Sequence, residues 1–291
     1  MCFTKIAKKY LVNRDVSEQY LRGVLRTANK MNAAGLSLAC VNPKRLSHWL
    51  DSMNVSPNTR SNYRRMALTI LKSCLTPRRF NDLIVALPVV KKKKKIPVAW
   101  SMKELDRLLD ITLHLPGQFQ TSRCSAKLWF TAWVLLSYET GLRHGDVFAL
   151  QEHQLRDDRL FVVQHKTGGP IGKRLSPGCV ELLQQLAHHS PDGTFFSWAI
   201  NRRNSYTRWA RVLKIAGLKG SPKYLRRSGA TYCESRNPGS ATAFLGHASP
   251  EMAAAHYIDP TLLPDRTPTP PPLILKAVSY THLTLPTKRI V

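Results

Sequence analysis

Along the first 90 residues the apolar positions recur at helical intervals. In VSEQYLRGVLRTANKM, residues 16–31, they fall at 16, 20, 21, 24, 25 and 28, which predicts one amphipathic helix. VNPKRLSHWLDSM (41–53) predicts a second, shorter helix. SPNTRSNYRRMALTILKSCL (56–75) opens on Ser56-Pro57, a capping residue followed by proline at the first helical position, and predicts a third. PRRFNDLIVAL (77–87) predicts a fourth. The pattern then breaks at Lys91, Lys92, Lys93, Lys94 and Lys95, a run that cannot pack and reads as a solvated linker ended by Ile96-Pro97. Beyond it SMKELDRLLDITL (101–113) has Ser101 and Glu104 at capping-box spacing. AKLWFTAWVLLSYETG (126–141) is apolar nearly all round and predicts a central buried helix.

The period then changes. RLFVVQ (159–164) predicts a strand, Thr167-Gly168-Gly169 a turn, and IGKRLS (171–176) the returning strand of a hairpin. Helices follow in PGCVELLQQLAHH from Ser176-Pro177, and at 204–217, 224–236, 240–247 and 249–258. TLLPDRTPTPPP (261–272) is too rich in proline to continue a helix. These patterns predict a mainly α chain with one small β-sheet. It divides into a helical domain at 1–90, a basic linker at 91–96, a mixed α+β domain at 97–262 and a proline-rich tail at 263–291. Residues 277–291, containing VSYTHLTLPT, resemble a translated transposon-end adapter from library preparation, and are set aside from fold reasoning.

Charge narrows the function. The chain carries 44 Lys and Arg against 18 Asp and Glu, a formal +26 over 291 residues. Self-repulsion on that scale destabilises a compact chain unless a polyanion screens it, so nucleic acid is the first candidate partner. An anionic membrane surface fits less well, because the basic residues spread over both domains and no apolar run approaches a membrane span. The six cysteines form no CxxC pair or regular spacing, which argues against a disulfide framework and a zinc site. With no apolar signal segment at the basic, amphipathic N-terminus, a cytoplasmic, nucleoid-associated protein is expected.

Four stretches carry candidate chemistry. ETGLRHGDVFAL (139–150) places Arg143 just after the buried helix and a glycine, with Asp146 three residues on. QHKTGG places Lys166 in the hairpin turn, PKYLRRSGAT places Lys223 and Arg226 on one helix face, and LGHASPEMAAAHYIDP contains His247 and, ten residues later, Tyr257. Each alone has a plainer use as an ion pair, a solvated turn residue, a phosphate patch or a helix cap. Their ordered succession resembles the tyrosine recombinase (phage integrase) family, whose second motif usually reads H-x-L-R-H where this chain has KYLRR.

The resemblance covers about 97–260 and extends loosely to the N-terminal helices, which would be the family's SAM-like core-binding domain. It implies a site-specific DNA recombinase that works without metal or other cofactor and without ATP. Arg143 and Arg226 would clamp the scissile phosphate, since forked guanidinium groups match the equatorial oxygens of a phosphorane. Tyr257 would be the nucleophile of a 3′-phosphotyrosyl intermediate, Lys166 the donor to the leaving 5′-oxygen, and Lys223 and His247 further phosphate contacts. Lys223 stands where the family usually has histidine, and donates hydrogen bonds but is a poorer base near neutral pH. Asp146 reads as structural, and Tyr280, which mimics the family's YTH signature, lies 33 residues beyond His247 and is rejected.

Arg60, Arg64, Arg65, Arg227 and the five linker lysines are the candidate DNA contacts. Double-stranded DNA is the expected partner, bound by a homotetramer on two sites, with a monomer when free. Two other functions fit the residue types: a type IB topoisomerase-like enzyme, and a non-catalytic DNA-binding protein derived from a recombinase.

Overall fold

The computed structural model describes residues 2–12, 14–91, 95–120, 122–165, 168–246 and 249–264. The chain divides into two compact units, Met1–Lys95 and Ile96 onward, each with its own apolar core.

The first unit is helical: α1 (Phe3–Leu11), α2 (Glu18–Ala33), α3 (Pro43–Asp51), α4 (Pro57–Lys72) and α5 (Pro77–Ala86). The capping signals act as their chemistry requires. Ser17, Asn42 and Ser56 accept the backbone N–H of Tyr20, Arg45 and Thr59, and proline opens α3, α4 and α5. Phe3, Met31, Leu46, Trp49, Ile70 and Leu71 close the core. The basic N-terminal segment is α1, which buries Phe3 and Ile6 against α2, where Asn32 accepts the Phe3 N–H.

The second unit begins with α6 (Met102–Leu113), whose Ser101–Glu104 capping box forms in both directions, and α7 (Ala126–Thr140). α7 is the central helix, with Trp129, Phe130, Trp133 and Leu136 all buried and Trp129 stacked on Trp133 at 4.8 Å. A short helix, α8 (His144–Phe148), follows, and the sheet has strands β1 (Leu155–Arg156), β2 (Arg159–Val163) and β3 (Pro170–Arg174) in antiparallel order β1-β2-β3. The sheet is therefore three-stranded rather than a hairpin alone, because the turn at Asp157-Asp158 recruits two residues too few to show a strand period. β2 turns Leu160 and Val162 into the core.

The remaining helices are α9 (Pro177–His188), α10 (Arg202–Ile215), α11 (Lys223–Arg236), α12 (Ser240–Leu245) and α13 (Pro250–His256). α11 packs directly on α7, where Gly229 leaves room that a Cβ would fill by overlapping the Tyr138 carbonyl. No helix among the described residues is long and apolar enough to cross a membrane.

Candidate active site

α7 ends at Gly141, whose φ of +61° reverses the chain into Leu142-Arg143. Arg143, just after that glycine as expected, is the capping residue of α8, in extended backbone with φ −72°. Its Nη1 donates to Gln164 Oε1 at 2.6 Å and stands 3.8 Å from Asp146 Oδ2. Asp146 is buried, and its other oxygen accepts the His165 N–H at 3.2 Å. It thus fixes Arg143 to the strand end from which the hairpin turn departs, in keeping with a structural reading of this carboxylate.

Arg226, on the first turn of α11, is 2 % exposed. It donates from Nη1 to the Gly141 carbonyl and from Nη2 to the Leu245 carbonyl at 3.2 Å. Burial, with the charge of Arg143 nearby, holds its pKa down at about 10, against the opposing pull of Tyr257 and Asp146. These bonds tie α11 to the end of α7 and to the end of α12, so one guanidinium joins three motif-bearing segments.

Tyr257 caps α13 and is half-buried. Its ring lies 4.8 Å from the Arg226 guanidinium and 5.1 Å from the Lys223 ammonium. Burial pushes the phenol pKa up, but the charges of Arg226, Lys223 and Arg143 and a hydrogen bond from Arg226 outweigh it, leaving the phenol below its usual value. Arg143, Lys223, Arg226 and Tyr257 are thus brought together from positions up to 114 residues apart. Lys166 and His247 lie outside the described residues, although their neighbours His165 and Gly246 flank this cluster.

Two contributors lie outside the candidate residues. Gln164 is 1 % exposed, accepts from Arg143 and donates from Nε2 to the Leu245 carbonyl at 3.0 Å. Lys173 on β3 donates to the Phe244 carbonyl and sits 4.5 Å from the Phe244 ring, its pKa lowered by burial to about 8. Both hold the sheet to the end of α12. Gly246, at φ +62°, is required there, since a Cβ would come within 2.8 Å of Ile171 and 2.9 Å of Gln164.

The expected DNA contacts divide. Arg65, Lys91 and Lys95 are exposed, and Lys92, Lys93 and Lys94 lie outside the described residues. Arg60 pairs with Asp51 at 3.2 Å, Arg64 donates to the Leu87 and Pro88 carbonyls, and Arg227 donates to the His256 and Val98 carbonyls. Tyr280 and the tail from 265 are outside the described residues.

No curated protein matches the chain. Among solved structures, a lambda integrase (residues 75–356) dimer bound to a COC′ core site superposes with a TM-score of 0.74 at 17 % identity, over 91 % of this chain and 98 % of that one. The XerH site-specific recombinase bound to a palindromic difH substrate gives 0.67 at 17 % identity, over 86 % and 79 %. The Tn1549 transposon integrase in complex with a circular intermediate DNA gives 0.67 at 14 % identity, over 87 % and 94 %. The model for the phage integrase family matches residues 100–262, which span every motif of the cluster, and the chain belongs to that family, the tyrosine recombinases.

Proposed function

We propose that the protein is a site-specific DNA recombinase that breaks and rejoins strands through a 3′-phosphotyrosyl intermediate at Tyr257. The observation that carries this reading is the tyrosine ring held against two cations, Arg226 and Lys223, with a third, Arg143, close enough to depress its pKa. A phosphate drawn into this cluster meets guanidinium groups already fixed by backbone and Gln164 contacts, so little reorganisation accompanies charge development on its equatorial oxygens. Tyr257 gives up its phenol proton to solvent, its oxygen bonds to phosphorus as the bond to the 5′-oxygen breaks, and that oxygen takes up a proton that Lys166 would supply from the hairpin turn, with His247 hydrogen-bonding the phosphate. The phosphotyrosyl bond conserves the phosphodiester energy, and a 5′-hydroxyl of a second strand reverses the attack without ATP. Lys223 serves as a cationic hydrogen-bond donor, not as a base.

Exchange between two duplexes requires more than one protomer. A lambda integrase tetramer bound to a Holliday junction is among the structures that share this fold, with a TM-score of 0.69 at 17 % identity, and supports a tetramer on two DNA sites. Residues 1–90 would close on the duplex as a clamp, with Arg65 and the linker lysines on phosphate.

The test is a pool of nicked suicide duplexes with randomised flanks, incubated with the protein in EDTA and resolved under denaturing conditions. A covalent protein–DNA adduct is expected. Arg143→Ala and Arg226→Ala should lower its rate by about 10²–10³-fold, the scale for removing one preorganised donor, while most DNA affinity survives on other phosphate contacts. A cleavage step that needs magnesium, or arginine variants that lose binding and cleavage together, would overturn the assignment.

A further inference from the structure

The reading above needs Tyr257 to be held at its own chain's phosphate site, and α13, which carries it, is only seven residues long. Too short to be stable by itself, α13 must be held by its surroundings. What holds the segment after it is a set of buried polar contacts centred on Asp259. This residue is 4 % exposed. Its Oδ2 accepts the Ala99 N–H at 2.9 Å, and its Oδ1 accepts the Thr261 N–H at 3.0 Å and hydroxyl at 2.7 Å. Its own N–H donates to Thr231 Oγ1 at 3.0 Å, and that hydroxyl reaches the Tyr257 carbonyl at 3.4 Å.

Arg227 closes the other side. Its Nε donates to the His256 carbonyl at 3.2 Å and its Nη1 to the Val98 carbonyl at 3.3 Å. The segment Val98–Trp100 is itself anchored, because Ser228 Oγ accepts the Trp100 N–H at 2.9 Å and the Trp100 indole donates to the Lys219 carbonyl. Arg227, Ser228 and Thr231 are successive neighbours along α11, the helix whose Arg226 faces the tyrosine ring.

We infer that Asp259 and Arg227 are positioning residues, which latch the tyrosine-bearing segment to Val98–Ala99 and to α11 and so keep Tyr257 over Arg226. This rests on the phosphotyrosyl reading and deepens it. It also gives Arg227 a different task from DNA contact: two backbone carbonyls on either side of the latch already engage its guanidinium. A carboxylate accepting backbone N–H groups out of water is costly to remove, since each donor is left without a partner. Loss of the latch therefore displaces the phenol relative to the phosphate without touching the clamp that binds it.

The test compares adduct formation on the nicked duplex pool with equilibrium binding to an intact duplex pool, for the full chain. Asp259→Ala is expected to slow the adduct by about tenfold or more, the order of loss for a reacting group misplaced by a fraction of an ångström, with the dissociation constant unchanged. Asp259→Asn keeps one acceptor oxygen and turns an amide nitrogen toward either the Ala99 or the Thr261 N–H, so it is expected to slow the adduct too, by less than Asp259→Ala, again with the dissociation constant unchanged. Should Asp259→Ala fail to fold, Arg227→Met carries the test, with the same split of slowed cleavage and unchanged binding. Wild-type rates in both Asp259→Ala and Arg227→Met, or an Arg227→Met defect found wholly in weaker binding, would overturn the latch. A wild-type chain that forms no adduct fails at the earlier step, and refutes the phosphotyrosyl reading itself.

Discussion

At the scale of single residues the site is a competition between burial and charge. Burial raises the Tyr257 pKa; three cations lower it further. The sign has a consequence that can be measured. A phenol held below the usual value of about 10 deprotonates first as pH rises, so the difference in ultraviolet phenolate absorbance between wild type and Tyr257→Phe should show an inflection below that of the remaining tyrosines. Lys223→Met removes one cation and should move that inflection upward. An inflection at or above the ordinary value would mean that burial wins. Arg143, Lys223, Arg226 and Tyr257 were legible in the sequence because each stands in a spaced motif. Gln164 and Lys173 were not. Their partners are the Leu245 and Phe244 carbonyls, and a backbone acceptor some 70 to 80 residues away leaves no trace in residue type. Arg64 and Arg227, candidate phosphate contacts, also donate to carbonyls of their own chain, which residue type does not reveal either.

At the scale of elements the capping chemistry was readable and the shortest pieces were not. Ser56-Pro57, Ser101–Glu104 and Ser176-Pro177 each begin a helix where the sequence places one. α8 and β1, with five and two residues, are too short to show a period, and both exist because neighbouring segments hold them. The junction of β2, β3 and α12 is where these elements make the site, and Gly246 is its narrowest point. Gly246→Ala places a side chain at positive φ and presses it on Ile171 and Gln164, at a cost of about 1–3 kcal/mol. A lower melting temperature and a slower adduct are expected together, because Gln164 also orients Arg143. A variant that melts lower yet cleaves at the wild-type rate would show that this junction serves stability alone.

At the scale of the molecule, two apolar cores account for the division into Met1–Lys95 and Ile96 onward, a boundary inside the 91–96 stretch that the charge run singles out as a linker. The excess of 26 positive charges belongs to the same scale: it assigns a polyanionic partner without specifying which bases are read. Under the proposed function, the cluster around Tyr257 makes that partner a substrate. The most direct measurement is to trap the adduct on a nicked duplex, digest the protein and identify by mass spectrometry the peptide that carries the nucleotide. The account predicts one modified peptide, containing Tyr257, and no adduct from Tyr257→Phe. A nucleotide on any other residue, or an adduct that survives Tyr257→Phe, would contradict it.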